Sequence, residues 1–422
     1  MKRTSDHSRD CYKWTLLGVL WLAYLFLHGT RQIFAATLPQ IKKDFLSLGV
    51  TDAQLGSVFT VFFIVYACCL PFSGIAADLL RRKWVVVAGV VLFSCGTFMS
   101  SLAGGIGLFI LSYGVVTSIG QSFVGASATS LISQHHVETR ATAFAIYQSA
   151  LYLGIIAFSA LAGYLGGMGP GSWRVPFRVF GLAGLTIALL LVFILDDRNS
   201  STDARARTKK RSFKDAATIL FRRPSALLTA FSLVMFCYVG GAYNAWMPMH
   251  LSATYEGLSP ASAAFNAVVW HFGGAFVGVA IGSRFSDRYA ARRPSIRLET
   301  LAVGLVAATP FVLGTAYAPN FTFCCVSMAL FGLFRGVYDS NLFAALFEVI
   351  PTCYHAAGAA IAFSFAFLLG SFSTTILGWM HGHLSSRLSL ASLAVFYLIG
   401  AVALIVARTF YFRHDYERMN EQ

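Results

Sequence analysis

The sequence predicts an all-α integral membrane protein of twelve transmembrane helices arranged as two six-helix pseudo-repeat bundles. Three observations carry this. Of 422 residues, 57% are hydrophobic and only 12% charged, against roughly 25% charged in a soluble domain. Apolar runs of about 20 residues, the length a helix needs to cross a hydrocarbon core of about 30 Å, recur twelve times. Landmarks in the first six runs also return in the second six at a nearly constant offset. Lipid offers no partner to an open backbone, and the runs lack the period-2 alternation of barrel strands, so each is expected to be a helix.

The first run, Trp14–Leu38, follows a basic flank but is too long for the apolar core of a signal peptide, and no small-residue cleavage pattern follows it. Pro39, in AATLPQI, is expected to end it. The second, Ala53–Leu80, closes in GIAADLLRRK, and the third, Trp84–Leu102, begins after that basic cluster. The fourth, Gly105–Ser133, contains YGVVTSIGQSF with Gly114 and Gln121. The fifth, Ala141–Gly166, follows Arg140 and carries Tyr147 and Gln148; the sixth, Val175–Leu195, opens in GSWRVPFRVFG. Residues 196–224, with nine basic and four acidic side chains, cannot build a core and read as a cytoplasmic linker between an N-terminal bundle, 1–195, and a C-terminal bundle, 225–422. Within the linker SFKDAATILF is amphipathic enough to lie on the membrane as a short helix.

The seventh run, Ala226–Pro248, holds Tyr243, Asn244 and Trp246 after Gly240 and Gly241, which suit either a bend or close helix packing. The eighth, Ala261–Phe285, contains His271 and ends in SRFSDRYAARR. Leu298–Tyr317, Phe321–Val349, Ala356–Met380 and Ser389–Tyr411 complete the twelve, the tenth carrying GLFRGVYDSN. Pro39 and Pro248 are 209 residues apart, as are Asp78 and Asp287; RATAFAI at Arg140 and HAAGAAI at His355 are 215 apart. Parallel six-helix repeats are a transporter architecture.

A net charge of +14 would suggest nucleic acid in a soluble protein, but its placement follows topology. With the N-terminus inside, most of the 32 Lys and Arg fall on one side, so both termini are expected in the cytoplasm of a plasma (inner) membrane. No nucleic-acid partner is expected, and the reading is of a monomer in the lipid bilayer. The eight cysteines form no CxxC pair and read as small apolar side chains, with no metal or disulfide framework. No nucleophile–base pair, metal-ligand cluster or phosphate loop points to an enzyme or a cofactor. A membrane sensor remains the non-transport alternative, although linker and tails are too short for a signalling domain.

GIAADLLRRK resembles the loop signature of the major facilitator superfamily: a glycine, an aspartate four residues on, then a basic cluster. Leu79 and Arg81 depart from its usual residues, and the second copy has Ser283 at the glycine position. The resemblance covers the whole chain and implies a cytoplasmic gate from Gly74, Asp78, Arg82, Lys83, Asp287, Arg288 and Arg292, with Glu348 close by. It also implies that helices 1, 4, 7 and 10 line a cavity. TRQIFAATLPQIKKDF is similar in layout to the anion:cation symporter and Spinster-like groups, which often carry Asp-Arg where this chain has Thr30 and Arg31; GSWRVPFRVFG, with Trp173, Arg174 and Phe177, fits either group. Gly114 and Gln121 stand where several proton-coupled relatives have Arg and Glu, which weakens proton coupling through the first half.

Away from helix ends, the ionisable residues inside the runs are His28, Arg31, His271, Arg335 and Asp339. A charge at the bilayer centre costs at least about 2.5 kcal/mol, so each needs a reason. Arg31 offers a rigid fork of donors to a carboxylate or phosphate, or else snorkels to the interface. His28 shares its helix face. Arg335 and Asp339, four apart, are a self-neutralising pair, a second anion clamp with Asp339 as the coupling group, or a gate. Gln121, Gln148, Tyr243, Asn244, Tyr338 and Asn341 add hydrogen-bonding and aromatic surface suited to a sugar-like molecule. The expected function is secondary active transport of a small organic anion, of the sugar-acid class, by alternating access with co-transported H+ or Na+. A Spinster-like carrier of lipids or drug-like amphiphiles is the alternative.

Overall fold

The computed structural model describes residues 2–136, 139–195, 213–290, 292–293, 295–351 and 355–420. Every regular element among them is helical. The first half contains α1 (Lys2–Leu46), α2 (Asp52–Leu79), α3 (Arg82–Ser100), α4 (Ile106–Phe109), α5 (Ser118–His135), α6 (Arg140–Gly166) and α7 (Arg174–Ile194). A π-helical stretch, Ile110–Thr117, joins α4 to α5 as one rod. Then come α8 (Phe213–Arg222), α9 (Pro224–Thr254), α10 (Pro260–Ala290), α11 (Ile296–Ala316) and α12 (Phe321–Phe347). The chain closes with α13 (His355–Gly370), α14 (Phe372–His383), α15 (Ser386–Val406) and α16 (Phe412–Asn420). Eleven helical segments of the described residues are long and apolar enough to cross a membrane. The twelfth helix of the fold is α1, whose apolar middle is interrupted by His28, Thr30 and Arg31.

Three local features differ from the reading of the sequence. Pro39 and Pro248 do not end their helices: α1 continues to Leu46 and α9 to Thr254. A proline removes one backbone hydrogen bond while the flanking turns keep theirs, a loss that membrane helices accommodate through their neighbours. Each therefore marks the end of an apolar run without ending the helix. The eleventh run is two helices, α13 and α14, broken at Ser371. The Thr60 hydroxyl donates to the Ser371 carbonyl at 2.8 Å, taking up an acceptor at the break.

The chain forms two compact units. The first holds α1, α2 from Val61 onward and α3 to α7, with Leu258–Phe265; the second holds Thr51–Thr60, α8, α9, α10 from Asn266 and α11 to α16. In lipid, apolar burial between helices brings no hydrophobic gain, so packing and polar links must hold each unit. In the first, α1 runs along α6 and α7, and α3 packs on α5 and α7. GSWRVPFRVFG supplies a polar link: Trp173 Nε1 and Arg174 Nη1 donate to Asp44 Oδ2 at 2.7 and 3.1 Å, pinning the end of α1 to the start of α7. The Arg174 guanidinium lies 4.2 Å from the Trp173 ring centroid.

In the second unit α9 packs on α13 and α15, and α11 on α12 and α15. Asp415, buried on α16, accepts from the Ser225 amide at 2.9 Å and so caps the first turn of α9. The closest approach is between α10 and α12. A Cβ placed on Gly332 or Gly336 would run into the backbone carbonyl of His271 or Ala275, so these positions admit only glycine at this separation.

Candidate functional site

Arg31 is the polar centre of the first unit. Its Nε donates to Gln121 Oε1 at 3.1 Å, and Gln121 Nε2 donates to Thr30 Oγ1 at 3.1 Å. That fixes the amide orientation and turns Gln121, from α5, into a splint for the guanidinium. Three rings of α2 surround the cation, with Tyr66, Phe62 and Phe63 centroids at 4.8, 5.4 and 5.8 Å. From the π-helical stretch, the Tyr113 hydroxyl donates to the Arg31 carbonyl at 2.8 Å; such wide turns re-aim side chains and recur at functional sites. Arg31 Nη2 is buried without a hydrogen-bond partner, and no carboxylate pairs with Arg31 among the described residues. With Nε occupied by Gln121, the terminal edge of the guanidinium is what remains for an anion. One turn back, His28 meets the Tyr24 ring edge-on at 4.4 Å, and Tyr24 stacks on Tyr147 at 4.1 Å. Gln148 is exposed on α6 and makes no hydrogen bond among the described residues.

The second unit has its own arginine centre. Arg335 Nη1 lies 2.8 Å from His271 Nε2, whereas Arg335 Nε is 4.0 Å from Asp339 Oδ2. Asp339 has 39% of its side chain exposed and Arg335 14%, so histidine, not aspartate, is the close partner of the buried guanidinium. The rings of Phe236 and Phe272 lie 5.1 and 5.5 Å from the cation. His271 stacks on Phe331 at 4.9 Å and faces Tyr243 at 5.2 Å. His271 Nδ1, Arg335 Nε, the Tyr243 hydroxyl and Asn244 Oδ1 are all buried without hydrogen-bond partners. Gly240 lies beside the guanidinium: a Cβ there would meet Arg335 Nη2 at 3.7 Å, an ordinary van der Waals contact.

Tyr338 and Asn341 serve packing instead. Tyr338 is buried, stacks on Phe236 at 4.5 Å and shares a 3.3 Å hydrogen bond with Ser232. Asn341 donates to the Gly282 carbonyl at 3.3 Å and to Ser340 Oγ at 2.8 Å, tying α12 to α10.

Of the expected gate residues, the side chains of Gly74 and Asp78 lie outside the described residues. Arg82 opens α3, and Lys83 Nζ lies 5.5 Å from the Trp84 ring. Asp287 and Glu348 come together through Arg297, which the sequence reading did not single out: Arg297 reaches Asp287 at 3.4 Å and Glu348 at 3.2 Å. Arg288 and Arg292 are exposed and form no ion pair among the described residues. Beside this network Glu299 pairs with Arg293 at 3.0 Å and Arg408 at 2.9 Å. Burial pushes the Glu348 carboxyl up to about 7 against the opposing pull of Arg297.

His271 was named in the sequence, but its contact with Arg335 was legible only indirectly. Gly274, Gly278 and Gly282 in α10, and Gly332 and Gly336 in α12, recur every four residues. That spacing marks facing seams which bring His271 to Arg335.

A sequence model of the Major Facilitator Superfamily matches residues 20–298. The chain is 26% identical over 319 residues to protein spinster of Drosophila melanogaster, covering 73% of this chain and 51% of that protein. It thus spans about half the length of that relative. It is 24% identical over 390 residues to a probable sulfoacetate transporter of Cupriavidus necator, covering 86% of each. Among solved structures, a bacterial homologue of the human lysosomal transporter Spinster, inward-facing and unoccupied, superposes with a TM-score of 0.82 at 18% identity, covering 95% of this chain and 98% of that one.

Proposed function

Because the chain belongs to the Major Facilitator Superfamily, we propose that it is a secondary active transporter of a small organic anion, of the sugar-acid class, working by alternating access with ion coupling. The observation that carries this is Arg31, whose Nη2 is buried without a partner inside a frame of Phe62, Phe63 and Tyr66. A buried donor left unpaired costs about 1 to 3 kcal/mol, a cost that a bound carboxylate or sulfonate removes. Gln121 fixes the fork in advance, so little orientational freedom is lost on binding. The relative from Cupriavidus necator, named for a two-carbon sulfonated acid, supports an anionic substrate. Both termini are assigned to the cytoplasmic side of a plasma membrane.

The second reading, an amphiphile with an anionic head, is favoured by the aromatic walls around Arg31 and by the likeness to spinster. One experiment separates the two: thermal stabilisation of purified protein by glucuronate, sulfoacetate, glucose and a lysophosphatidate, in wild type and Arg31→Ala. Stabilisation follows RT ln(1 + [L]/Kd). A glucuronate or sulfoacetate shift in wild type that vanishes in Arg31→Ala supports the first reading, and a shift with lysophosphatidate alone supports the second. Equal stabilisation of both proteins by glucose overturns the anion assignment.

A further inference from the structure

We propose that His271 is the proton-uptake site of this carrier, and that a proton and an anion reach it together because both act on the same guanidinium. The proposal rests on the reading of the chain as an anion transporter. Arginine has donors and no acceptor, so in the 2.8 Å contact between Arg335 Nη1 and His271 Nε2 the imidazole nitrogen must be the acceptor. His271 is therefore neutral, with its proton on Nδ1. Nε2 cannot hold a proton and accept from Arg335 at once, and an imidazolium at that distance would repel the guanidinium.

Proton and guanidinium thus exclude one another at Nε2. Arg335 has somewhere else to go: Asp339 Oδ2 stands 4.0 Å from Nε, and Nε itself is buried without a hydrogen-bond partner. The other titratable groups around the imidazole are few. Tyr243 faces it from α9, Tyr397 of α15 lies behind Phe331, the thiols of Cys324 and Cys325 on α12 lie toward Tyr243, and the Cys237 thiol of α9 and the Tyr338 phenol of α12 lie toward Asp339. Among the described residues the only charged groups at this centre are Arg335 and Asp339.

An arriving anion draws Arg335 off His271, breaking the Nη1–H···Nε2 bond. The exposed lone pair of Nε2 then takes a proton from water, and the imidazolium adds a second positive charge beside the anion. When the anion leaves, the proton returns to water from Nε2 and Arg335 closes on the imidazole again. One proton thus accompanies each anion, and by linkage each raises the affinity for the other by the same factor. Asp339, more exposed, receives the guanidinium during exchange and is not required to carry the proton.

Two measurements test this. Nitrogen-15 NMR of histidine-labelled protein in lipid nanodiscs needs no substrate; the His271 signal is identified by its loss in His271→Gln. At pH 8 it should show the Nδ1–H tautomer, and in Arg335→Gln its proton affinity should rise at least tenfold. An Nε2–H tautomer in the wild type, or an unchanged midpoint in a folded Arg335→Gln protein, overturns the proposal. In proteoliposomes under an inward proton gradient, accumulation of labelled glucuronate or sulfoacetate should fall at least tenfold in His271→Gln while exchange of labelled for unlabelled anion continues. Gradient-driven accumulation that persists in His271→Gln overturns it. If the wild type carries neither anion, the transport reading fails, and the NMR titration alone decides the role of His271.

Discussion

Arg31 Nη2, Arg335 Nε, His271 Nδ1 and the Tyr243 hydroxyl are buried without hydrogen-bond partners among the described residues, and they gather at two arginine centres. These unpaired atoms are what the proposed anion and proton would act on. Arg31, Arg335 and Asp339 were visible in the sequence because a charge inside an apolar run has no cheap explanation. The bond from Arg335 to His271 was not, since it crosses two helices 64 residues apart in the chain and depends on how closely they pack. Arg297 was missed for a similar reason: among the basic residues from the end of α10 to the start of α11, only the fold selects which one bridges Asp287 and Glu348. The Glu348 carboxyl, pushed up to about 7 by burial, gives this network a pH signature. Its folded pKa lies above the value of about 4.3 in an unfolded chain, so its stabilising contribution is complete below about pH 4 and is lost as pH rises through 7. Melting curves should show the wild type losing more stability than Glu348→Gln between pH 5 and pH 8, with the two converging at the acid end. A difference in Tm that stays constant across that range would refute the assignment.

Helix positions followed from hydropathy, but helix interruptions did not. The prolines of α1 and α9 lie inside continuous helices, while the break between α13 and α14 falls at Ser371, in an unremarked run of serines and threonines. Ser371, Thr374 and Thr60 exchange hydrogen bonds with each other and with freed carbonyls there, an alternative to the helical ladder that no apolar count registers. The seam between α10 and α12 makes the most direct prediction for an element. Gly336→Ala puts a methyl group against the Ala275 carbonyl. Overpacking of this kind costs about 1 to 3 kcal/mol, and it should also loosen the contact of His271 with Arg335. Gly18→Ala, where a Cβ meets nothing within 4 Å, is the control. A lowered Tm and weakened pH-driven accumulation in Gly336→Ala, with neither change in Gly18→Ala, is expected; a Gly336→Ala protein as stable as wild type would show that the helices are free to part.

For the whole molecule, the repeat offset of 209 residues, read from Pro39 and Pro248 and from Asp78 and Asp287, was enough to anticipate the twelve-helix fold. The charge distribution adds an orientation. Arg408 stands at the end of the last apolar run with Arg413 and Arg418 beyond it, and Lys2, Arg3, Arg9 and Lys13 precede the first. By the positive-inside rule this pattern predicts both ends in the cytoplasm. In a bacterial host a fluorescent protein fused after Gln422 should glow, and alkaline phosphatase fused at the same place should stay inactive. An active phosphatase fusion would reverse the orientation and with it the side on which Arg297, Asp287 and Glu348 lie. The first apolar run, Trp14–Leu38, is the least apolar of the twelve helices, because His28, Thr30 and Arg31 dilute it.

The glycine seam also sets a tempo. With Gly332 and Gly336 lodged against the backbone of α10, the two helices have no slack along their line of contact. On the proposed mechanism the hand-over of the Arg335 guanidinium, held between Phe236 and Phe272, is then left to rotation of one side chain, without the collective helix motion that takes microseconds to milliseconds. On that mechanism, charging and discharging at this centre need no movement of the helices. Changes to the chemistry of His271 or Arg335 will register as shifted equilibria, and the clock of the transport cycle runs in the larger movements of the helices.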